Sequence, residues 1–219
     1  MFTGIIQALG RVASIQTVGE DCQFHLDVGD LPMTNTDLGD SIAVNGVCLT
    51  VIKKNAHSFW ADVSLESLRV TTLGELEVGA AVNLEKALTL ATPLGGHLVS
   101  GHVDGVGRVV SARTEGRSLC YRIEVPNEIQ HYIAAKGSVC IDGISLTVNR
   151  VEGAVFSVNV VPHTLSKTTL SACCEGRLVN IEVDVLARYL ERLMGRDTET
   201  SSEVESTQIS FEFLKKNGF

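Results

Sequence analysis

The feature that most constrains this chain is a stretch that occurs twice. Residues 39–51 read GDSIAVNGVCLTV and residues 136–148 read KGSVCIDGISLTV, so the second copy lies 97 residues after the first. Each copy places β-branched and apolar residues on both sides of Asn-Gly or Asp-Gly, the dipeptides that tolerate positive φ at both central positions of a two-residue turn. The sequence therefore predicts a β-hairpin in each copy, within one β unit that is used twice.

The same offset relates most of the chain. Residues 1–15 alternate apolar and polar side chains, which predicts a strand, and the second copy of this pattern begins near Gly96. Pro126 and the stop signal Gly137 predict a short helix over residues 126–133. Three further pairs of segments are predicted as strands, the first two pairs each followed in the chain by a short helical or looser stretch: 22–28 with 120–125, 58–63 with 155–160, and 79–85 with 176–182.

Strands this short, separated by Gly and Asn turns, favour small closed barrels over open sheets, because closure removes exposed strand edges. The predicted fold is all-β with short helices: two tandem six-stranded antiparallel barrels followed by a C-terminal helix. The predicted domains are an N-terminal barrel over 1–95, a C-terminal barrel over 96–184, and a helix and tail over 185–219.

Composition limits the partners and the compartment. The formal net charge is −8 and the pI is near 5.2, and no Lys/Arg cluster stands out, so neither nucleic acid nor a membrane is an expected partner. The amino terminus lacks a basic segment followed by an apolar one, and no run approaches the roughly 18 apolar residues of a spanning helix. The six cysteines form no C-x-x-C pair and are interpreted as reduced, mostly buried thiols. We expect a cytoplasmic protein with a small-molecule ligand.

The hydrophobic period changes after Asp184. Residues 185–194 place Leu186, Tyr189, Leu190 and Leu193 on one helical face, with Asp184 as N-cap and Gly195 as the end. Two complete barrels leave this helix no core to join, so it is predicted to pack against another subunit; docking onto its own barrels is the alternative. Residues 196–207 are predicted to be disordered, and residues 209–214 are predicted to form a final turn or short helix.

The two copies differ mainly in their reactive side chains. Matching positions share a backbone, so a polar group present in only one copy indicates a difference in role. An enzyme that handles two molecules in different roles needs such differences, whereas equal binding modules do not. The unequal pairs are Ile5 and His102, Gly39 and Lys136, Asn45 and Asp142, Cys48 and Ser145, Asp62 and Asn159, and Glu66 and His163.

Four segments resemble the signature segments of the riboflavin synthase family: residues 1–6 (MFTGII), 45–51 (NGVCLTV), 95–103 (GGHLVSGHV) and 142–148 (DGISLTV). The resemblance runs from Met1 to about Asp184. It implies tandem six-stranded Greek-key barrels, a homotrimer held by C-terminal helices, and association with lumazine synthase.

The resemblance also implies a reaction. Two molecules of 6,7-dimethyl-8-ribityllumazine exchange a four-carbon unit and give riboflavin and 5-amino-6-(D-ribitylamino)uracil, with no metal or redox cofactor. One lumazine must lose a proton from its C7 methyl group and act as a carbon nucleophile, while the other accepts attack on its ring. Donor and acceptor therefore need different surroundings, and the family places them in the amino barrel of one subunit and the carboxyl barrel of the next.

Site residues follow from the resemblance position by position. Hydroxyl side chains among them suit a ribityl polyol, His102 suits a proton carrier, and Lys136 suits charge on a deprotonated ring. The implied catalytic residues are Ser41, Cys48, His102, Lys136 and Asp184. The implied substrate contacts are Gly4, Ile5, Ile6, Cys48, Leu49, Thr50, Asp62, Val63, Ser64, Leu65, Glu66, Ser67, Gly101, His102, Val103, Lys136, Ser145, Leu146, Thr147, Val160, Val161, Pro162, His163, Thr164 and Leu165.

Plainer structural explanations exist for several of these residues. His97 and His102 form a metal pair only if a third ligand exists, and none is apparent in the sequence. Cys48 is explained equally as a side chain that fills a barrel interior. Ser145 and Thr147 are also consistent with solvent-facing strand residues, and Lys136 with a cation near a helix end.

A second function belongs to another class. A non-catalytic lumazine- or flavin-binding protein of the same fold, like the bioluminescence antenna proteins, has the same barrels but departs from the synthase pattern in the histidine and Ser-Leu-Thr-Val segments. This chain keeps His97, His102, Cys48, Ser145 and Thr147, which favours the enzyme. A barrel scaffold without a ligand leaves the one-sided polar groups unexplained.

Overall fold

The structure is a computed structural model that describes the fold of residues 1–202 and the side chains of residues 1–195. Residues Met1–Val185 form one compact unit, and the chain from Leu186 onward belongs to a second. The predictions for residues 203–207 and 209–214 lie outside the described residues.

The first barrel is built from residues before Ala87. Its strands follow the order β4-β3-β7-β1-β2-β6-β5, and all pairs are antiparallel. The two outer members of this order, β4 and β5, are successive pieces of one segment that is interrupted at Val51 and Ile52, so the sheet curls back on itself. The strands are β1 (Ala8–Val18), β2 (Asp21–Asp27), β3 (Ser41–Val44), β4 (Val47–Thr50), β5 (Lys53–Lys54), β6 (Ser58–Val63) and β7 (Ala81–Lys86), with helix α1 (Leu65–Val70) after β6.

The second barrel repeats this plan 97 residues later and is fully closed in the order β10-β11-β12-β9-β8-β13. One continuous strand, β11, takes the place of the β4 and β5 pieces. The predicted class, all-β with short helices in two six-stranded antiparallel barrels, is confirmed. The elements are β8 (Gly105–Glu115), β9 (Ser118–Glu124), β10 (Ser138–Ile141), β11 (Ile144–Glu152), β12 (Val155–Val160), α2 (Pro162–Lys167) and β13 (Leu178–Val183).

Each barrel encloses its own apolar core. Phe24, Leu26 and Phe59 are fully buried in the first core, and Tyr121 and Phe156 in the second. These side chains come from alternate strand positions, which point to the same face of a sheet. The phenol of Tyr121 donates a 2.7 Å hydrogen bond to the carbonyl of Leu170, so its one polar atom is satisfied inside the core.

The duplicated hairpins have the predicted turns, and they meet each other. Asn45 and Gly46 have φ of 46° and 81°, and Asp142 and Gly143 have φ of 46° and 82°. A Cβ atom on Gly46 would lie 2.7 Å from the backbone nitrogen of Gly143, and one on Gly143 would lie 2.8 Å from that of Gly46. Glycine is therefore required at both turns, by backbone conformation and by close approach.

Amide side chains join the two barrels around these turns. The Asn83 Nδ2 group donates to the carbonyl of Asp142 at 2.9 Å and to Thr169 Oγ1 at 3.0 Å. In the equivalent position, Asn180 Nδ2 donates to the carbonyl of Asn45 at 2.9 Å. These groups are buried and paired across the interface, so they fix the relative position of the barrels within the compact unit.

Three local predictions differ from the structure. The strand predicted over residues 1–15 begins only at Ala8, and Phe2 instead forms an isolated antiparallel bridge with Val99. Residues 126–133 contain a single 3₁₀ turn, Gln130–Tyr132, and no α-helix, because so short a segment has few helical hydrogen bonds to gain. Helix α3 spans Val185–Ser202 and passes through Gly195; a glycine inside an exposed helix costs only about 1 kcal/mol. Residues up to Ser202 are therefore helical, where disorder was predicted.

All six cysteines are free thiols, as predicted. Only Cys140 and Cys173 are buried, so the expectation that most of them are buried is wrong. Within the described residues no helix combines the length and the apolarity needed to cross a membrane.

Candidate active site

Each barrel is completed by a segment that belongs to the other copy of the repeat. The carbonyl of Gly4 accepts a 2.8 Å hydrogen bond from the Ser145 N–H, and the carbonyl of Gly101 accepts one of the same length from the Cys48 N–H. Residues before β1 therefore lie against the second barrel, and residues before β8 lie against the first. This exchange places Gly4 to Ile6 beside Ser145, and Gly101 to Val103 beside Cys48.

Two buried glutamates hold the exchanged segments. Glu85 accepts hydrogen bonds from the Thr3 N–H at 2.7 Å, the Thr3 hydroxyl at 2.6 Å and the Gly4 N–H at 3.0 Å. Glu182 receives the equivalent three bonds from Ser100 and Gly101. Burial raises the pKa of both carboxyl groups, and these hydrogen bonds partly oppose that rise.

Sequence reasoning missed the role of these glutamates. Glu85 and Glu182 stand at matching positions in β7 and β13, and both are almost fully buried. A glutamate kept at the same strand position in both copies is the signal that was available, because buried carboxylates need hydrogen-bond donors.

The second barrel has a cavity at this junction, with a volume of about 340 Å³. We name it the Ser145 cavity. Six of its lining residues belong to the predicted set: Gly4, Ile5, Ile6, Ser145, His163 and Thr164. Four others were not predicted: Gln7, Ile144, Lys167 and Thr168. The cavity thus joins apolar side chains, the hydroxyl-bearing residues serine and threonine, and a lysine.

His97 orients the hydroxyl of Ser145. The distance between His97 Nδ1 and Ser145 Oγ is 2.7 Å, while His97 Nε2 is buried without a hydrogen-bond partner among the described residues. Burial lowers the pKa of His97 from 6.5, and the nearby charge of Asp184 opposes this change. The imidazole is therefore neutral at neutral pH, so only one of its nitrogens carries a proton.

His97 approaches Ser145 closely because residue 96, directly before the histidine, is a glycine. A Cβ atom on Gly96 would lie 2.7 Å from the Cβ of Ser145 and closer still to the carbonyl oxygen of Thr3. Gly96 therefore lets the segment that carries His97 run directly over Ser145.

Within the described residues no cluster of three or more His, Cys, Asp or Glu side chains is arranged to hold a metal ion.

We call the barrel end at the Gly101–Cys48 hydrogen bond the first mouth and the one at the Gly4–Ser145 hydrogen bond, which holds the Ser145 cavity, the second mouth. The first mouth has different side chains from the second. Cys48 is half-buried and packs on a small cluster that includes Phe2 and Val99. The Ser64 hydroxyl caps helix α1 by accepting the Ser67 N–H at 3.1 Å. In the second barrel Val161 takes the place of Ser64, and helix α2 has no side-chain cap. The exposed His102, on the crossing segment, has no histidine counterpart in the other copy.

The remaining predicted residues are spread around the two mouths. Leu49, Val63 and Val160 are buried in the barrel cores, so only their backbone groups are available to a ligand. Asp62 accepts a 3.0 Å hydrogen bond from Gln23. Thr50 ends β4, Leu146 and Thr147 lie on β11, Leu65 and Glu66 begin α1, and Pro162 and Leu165 lie on α2.

None of the five predicted catalytic residues lines the Ser145 cavity. Cys48 and the His102 segment lie together at the first barrel, and the other three lie elsewhere. Ser41 begins β3 opposite Thr50 and lines a separate cavity of about 540 Å³. Lys136 is exposed in the loop before β10, with φ of 69°. Asp184 directly follows β13 and acts on His97 through its charge.

The family model for the lumazine binding domain matches residues 3–87 and again residues 100–184. The riboflavin synthase of Photobacterium phosphoreum is 48% identical over 219 residues, covering 100% of this chain and 99% of the relative. The riboflavin synthase of Bacillus subtilis (strain 168) is 34% identical and covers 100% of both chains.

Solved structures agree with the fold. The crystal structure of LumP complexed with 6,7-dimethyl-8-(1'-D-ribityl) lumazine has a TM-score of 0.74 at 25% identity, covering 84% of this chain and 99% of that one. The crystal structure of LumP complexed with riboflavin has a TM-score of 0.75 at 27% identity, with the same coverage. Because both barrels match the domain model and relatives align over the full length, this chain belongs to the riboflavin synthase family.

Proposed function

We propose that this enzyme converts two molecules of 6,7-dimethyl-8-ribityllumazine into riboflavin and 5-amino-6-(D-ribitylamino)uracil by four-carbon transfer. The observation that carries the proposal is the pair of barrel mouths, which share one backbone frame and differ in their reactive side chains. The Gly4–Ser145 and Gly101–Cys48 hydrogen bonds are equivalent, whereas Ser145 and His163 line the Ser145 cavity at positions that Cys48 and Glu66 occupy in the first barrel.

The Ser145 cavity suits one substrate molecule. Its volume of about 340 Å³ lies in the range of small-ligand pockets. Apolar contacts from Ile5 and Ile6 suit the flat face of the ring, and the hydroxyl of Thr164 suits the ribityl chain. The N–H and carbonyl of Gly4 are already bonded to Glu85 and Ser145, so we expect the backbone groups of Ile6 to bind ring carbonyl and N–H groups.

The reaction requires different side chains at the two mouths, because one holds the donor molecule and the other the acceptor. A base removes a proton from the C7 methyl group of the donor, and the resulting carbanion attacks the ring of the acceptor. We assign proton transfer to His102 and stabilisation of the ring anion to Lys136. Because both products come from two copies of one substrate, the reaction balances without an oxidant or reductant.

We further propose that the chain acts as a homotrimer. Helix α3 presents Leu186, Tyr189, Leu190 and Leu193, each with more than half of its surface exposed in the single chain. An apolar helix face of this kind is buried favourably against other subunits. The trimer would place the first mouth of one subunit opposite the second mouth of the next. Association with lumazine synthase and a cytoplasmic location stay predictions from the sequence.

Incubation of the purified protein with 6,7-dimethyl-8-ribityllumazine alone tests the reaction. We expect riboflavin fluorescence to appear with one riboflavin formed for every two substrates consumed. The second candidate is a binding protein such as LumP, whose crystal structures contain the lumazine, riboflavin or flavin mononucleotide. Tight binding of the lumazine without turnover would favour that function instead.

A further inference from the structure

A row of three side chains crosses the outer face of the first barrel. His25 pairs with Trp60 across β2 and β6, and Lys53 pairs with Trp60 across β5 and β6. The His25 and Trp60 rings are stacked, with centroids 3.9 Å apart and an interplanar angle of 3°. Lys53 Nζ lies 4.6 Å from the centroid of the Trp60 ring. The indole thus occupies the space between a flat ring and a cation.

The equivalent row of the second barrel lacks the aromatic ring. Arg122 and Arg150 both pair with Ser157, which stands where Trp60 stands in the first barrel. Phe156 and Val158 are buried, so Ser157 points outward as Trp60 does. A cavity of about 340 Å³ lies over this row, and we name it the Ser157 groove. It is lined by Glu115, Cys120, Arg122, Arg150, Glu152 and Ser157, among others.

Only one of the two arginines that line the Ser157 groove forms an ion pair with a described residue. Arg122 Nη2 lies 2.7 Å from Glu152 Oε2, so one cation is already paired. The guanidinium of Arg150 has no hydrogen bond or ion pair with any described residue. Guanidinium groups stack on aromatic faces and bind planar anions with two parallel hydrogen bonds. The groove therefore offers a space for a ring and the guanidinium of Arg150, which makes no ion pair with a described residue, with Glu115 as the second carboxylate of its lining.

We propose that the Ser157 groove binds a small planar aromatic molecule that carries an anionic group. Its ring lies against Arg122 and Arg150, in the place that the indole of Trp60 fills in the first barrel, and its anion pairs with Arg150. The groove shares no lining residue with the Ser145 cavity, so the ligand is held outside the proposed substrate mouth.

1-Naphthyl phosphate is the probe, because its fused ring is close to an indole in size and its phosphate supplies the anion. Isothermal titration calorimetry on the full-length protein is expected to show binding. Ser157→Trp copies the first barrel and should abolish binding at this groove by filling it. Arg150→Gln removes the unpaired cation and should weaken binding about tenfold. Neutral 1-naphthol should bind more weakly than the phosphate by a similar factor.

Cys120 reports whether the probe occupies the groove. Alkylation by iodoacetamide, followed residue by residue with mass spectrometry, is expected to slow at Cys120 when the probe is present. The exposed Cys174 is the control and should react at an unchanged rate. Equal binding to wild type and to Ser157→Trp, or an unprotected Cys120, would overturn the proposal. If Ser157→Trp does not fold, then unchanged affinity in Arg150→Gln together with an unprotected Cys120 would overturn it as well.

Discussion

His97 Nδ1 and Ser145 Oγ are 2.7 Å apart, and this contact joins the segment between the barrels to the strand that lines the Ser145 cavity. The contact exists because Gly96 allows the segment to run directly over Ser145. It gives the hydroxyl of Ser145 one orientation, in which we propose that it meets a ribityl or ring oxygen of the substrate. His97 therefore acts through Ser145, as a positioning residue.

Replacement of His97 tests this role. His97→Phe should lower kcat about tenfold or more with a smaller change in KM, because the hydroxyl of Ser145 is then free to rotate. Ser145→Ala should have a similar effect, and the double variant should lose little more than either single one. Steady-state kinetics on the three variants measures this. Additive losses would show that the two side chains act independently.

The pH dependence of kcat also tests the role of His97. Burial lowers the pKa of its imidazole from 6.5, so the neutral form that pairs with Ser145 persists at mildly acidic pH and is lost only below that value. Any acid limb of kcat that His97→Phe removes should therefore lie below pH 6.5. An acid limb that stays unchanged in the variant would separate His97 from the rate-limiting chemistry.

Cys48 and His102 are expected to act on the reacting ring. Cys48→Ala and His102→Gln should each lower turnover by about a hundredfold, with much smaller losses of lumazine affinity. Cys174→Ala, at an exposed thiol, is the matched control and should leave both quantities unchanged. Equal losses of turnover and affinity would instead assign Cys48 and His102 to ground-state binding.

Asp142 should make stability depend on pH. Burial raises its pKa from 3.8 to about 6, so the folded protein holds this proton more tightly than the unfolded chain does. The stabilising contribution is complete below pH 3.8 and is lost as pH rises through about 6. A shift of this size corresponds to about 3 kcal/mol in the free energy of unfolding.

Asp142→Asn copies the residue at the equivalent position of the first barrel, Asn45, and keeps an acceptor for the Asn180 N–H. The variant should be more stable than wild type at pH 8 and should lose part of the decline between pH 4 and pH 7. Urea unfolding at several pH values measures both effects. If the free energy of unfolding falls with pH at the same rate in wild type and variant, the assignment to Asp142 is wrong. The pH dependence would then come from groups that both proteins share, such as Glu85 and Glu182.

Lys136→Gly distinguishes the effect of the lysine side chain on turnover from the effect of its backbone conformation on stability. Lys136 has φ of 69°, a left-handed conformation, and its counterpart Gly39 has φ of 92°. Glycine should therefore leave stability unchanged or raise it by up to about 1 kcal/mol, while turnover falls because the cation is lost. Unfolding and steady-state assays on the same preparation measure the two effects. Full activity in this variant would show that the side chain of Lys136 has no part in the reaction.

Removal of residues 185–219 should dissociate the oligomer and depress activity. The exposed apolar side chains of α3 are then absent, and the barrels lose the contact that we propose holds neighbouring mouths together. Light scattering after size-exclusion chromatography measures the mass, with circular dichroism as the control for barrel folding. A truncated chain that stays assembled would show that other surfaces hold the subunits.

Much of the fold was readable in the sequence because its signals are local. The Asn45-Gly46 and Asp142-Gly143 turns need positive φ at adjacent positions, and alternation within each strand marks which side chains enter a core. The fixed offset of the repeat then carries every assignment from one barrel to the other. It also exposes the unequal pairs, such as Cys48 and Ser145, that suggest two roles.

The exchange of segments between the barrels was not readable, because it rests on contacts between residues far apart in the chain. The bonds between Gly4 and Ser145 and between Gly101 and Cys48, and the one between His97 and Ser145, join residues that no sequence period relates. The sequence by itself determined two barrels with unequal polar groups, since turns and alternation are properties of neighbouring residues. Only the tertiary structure decided which group faces which mouth, because that depends on where buried carboxylates find their donors.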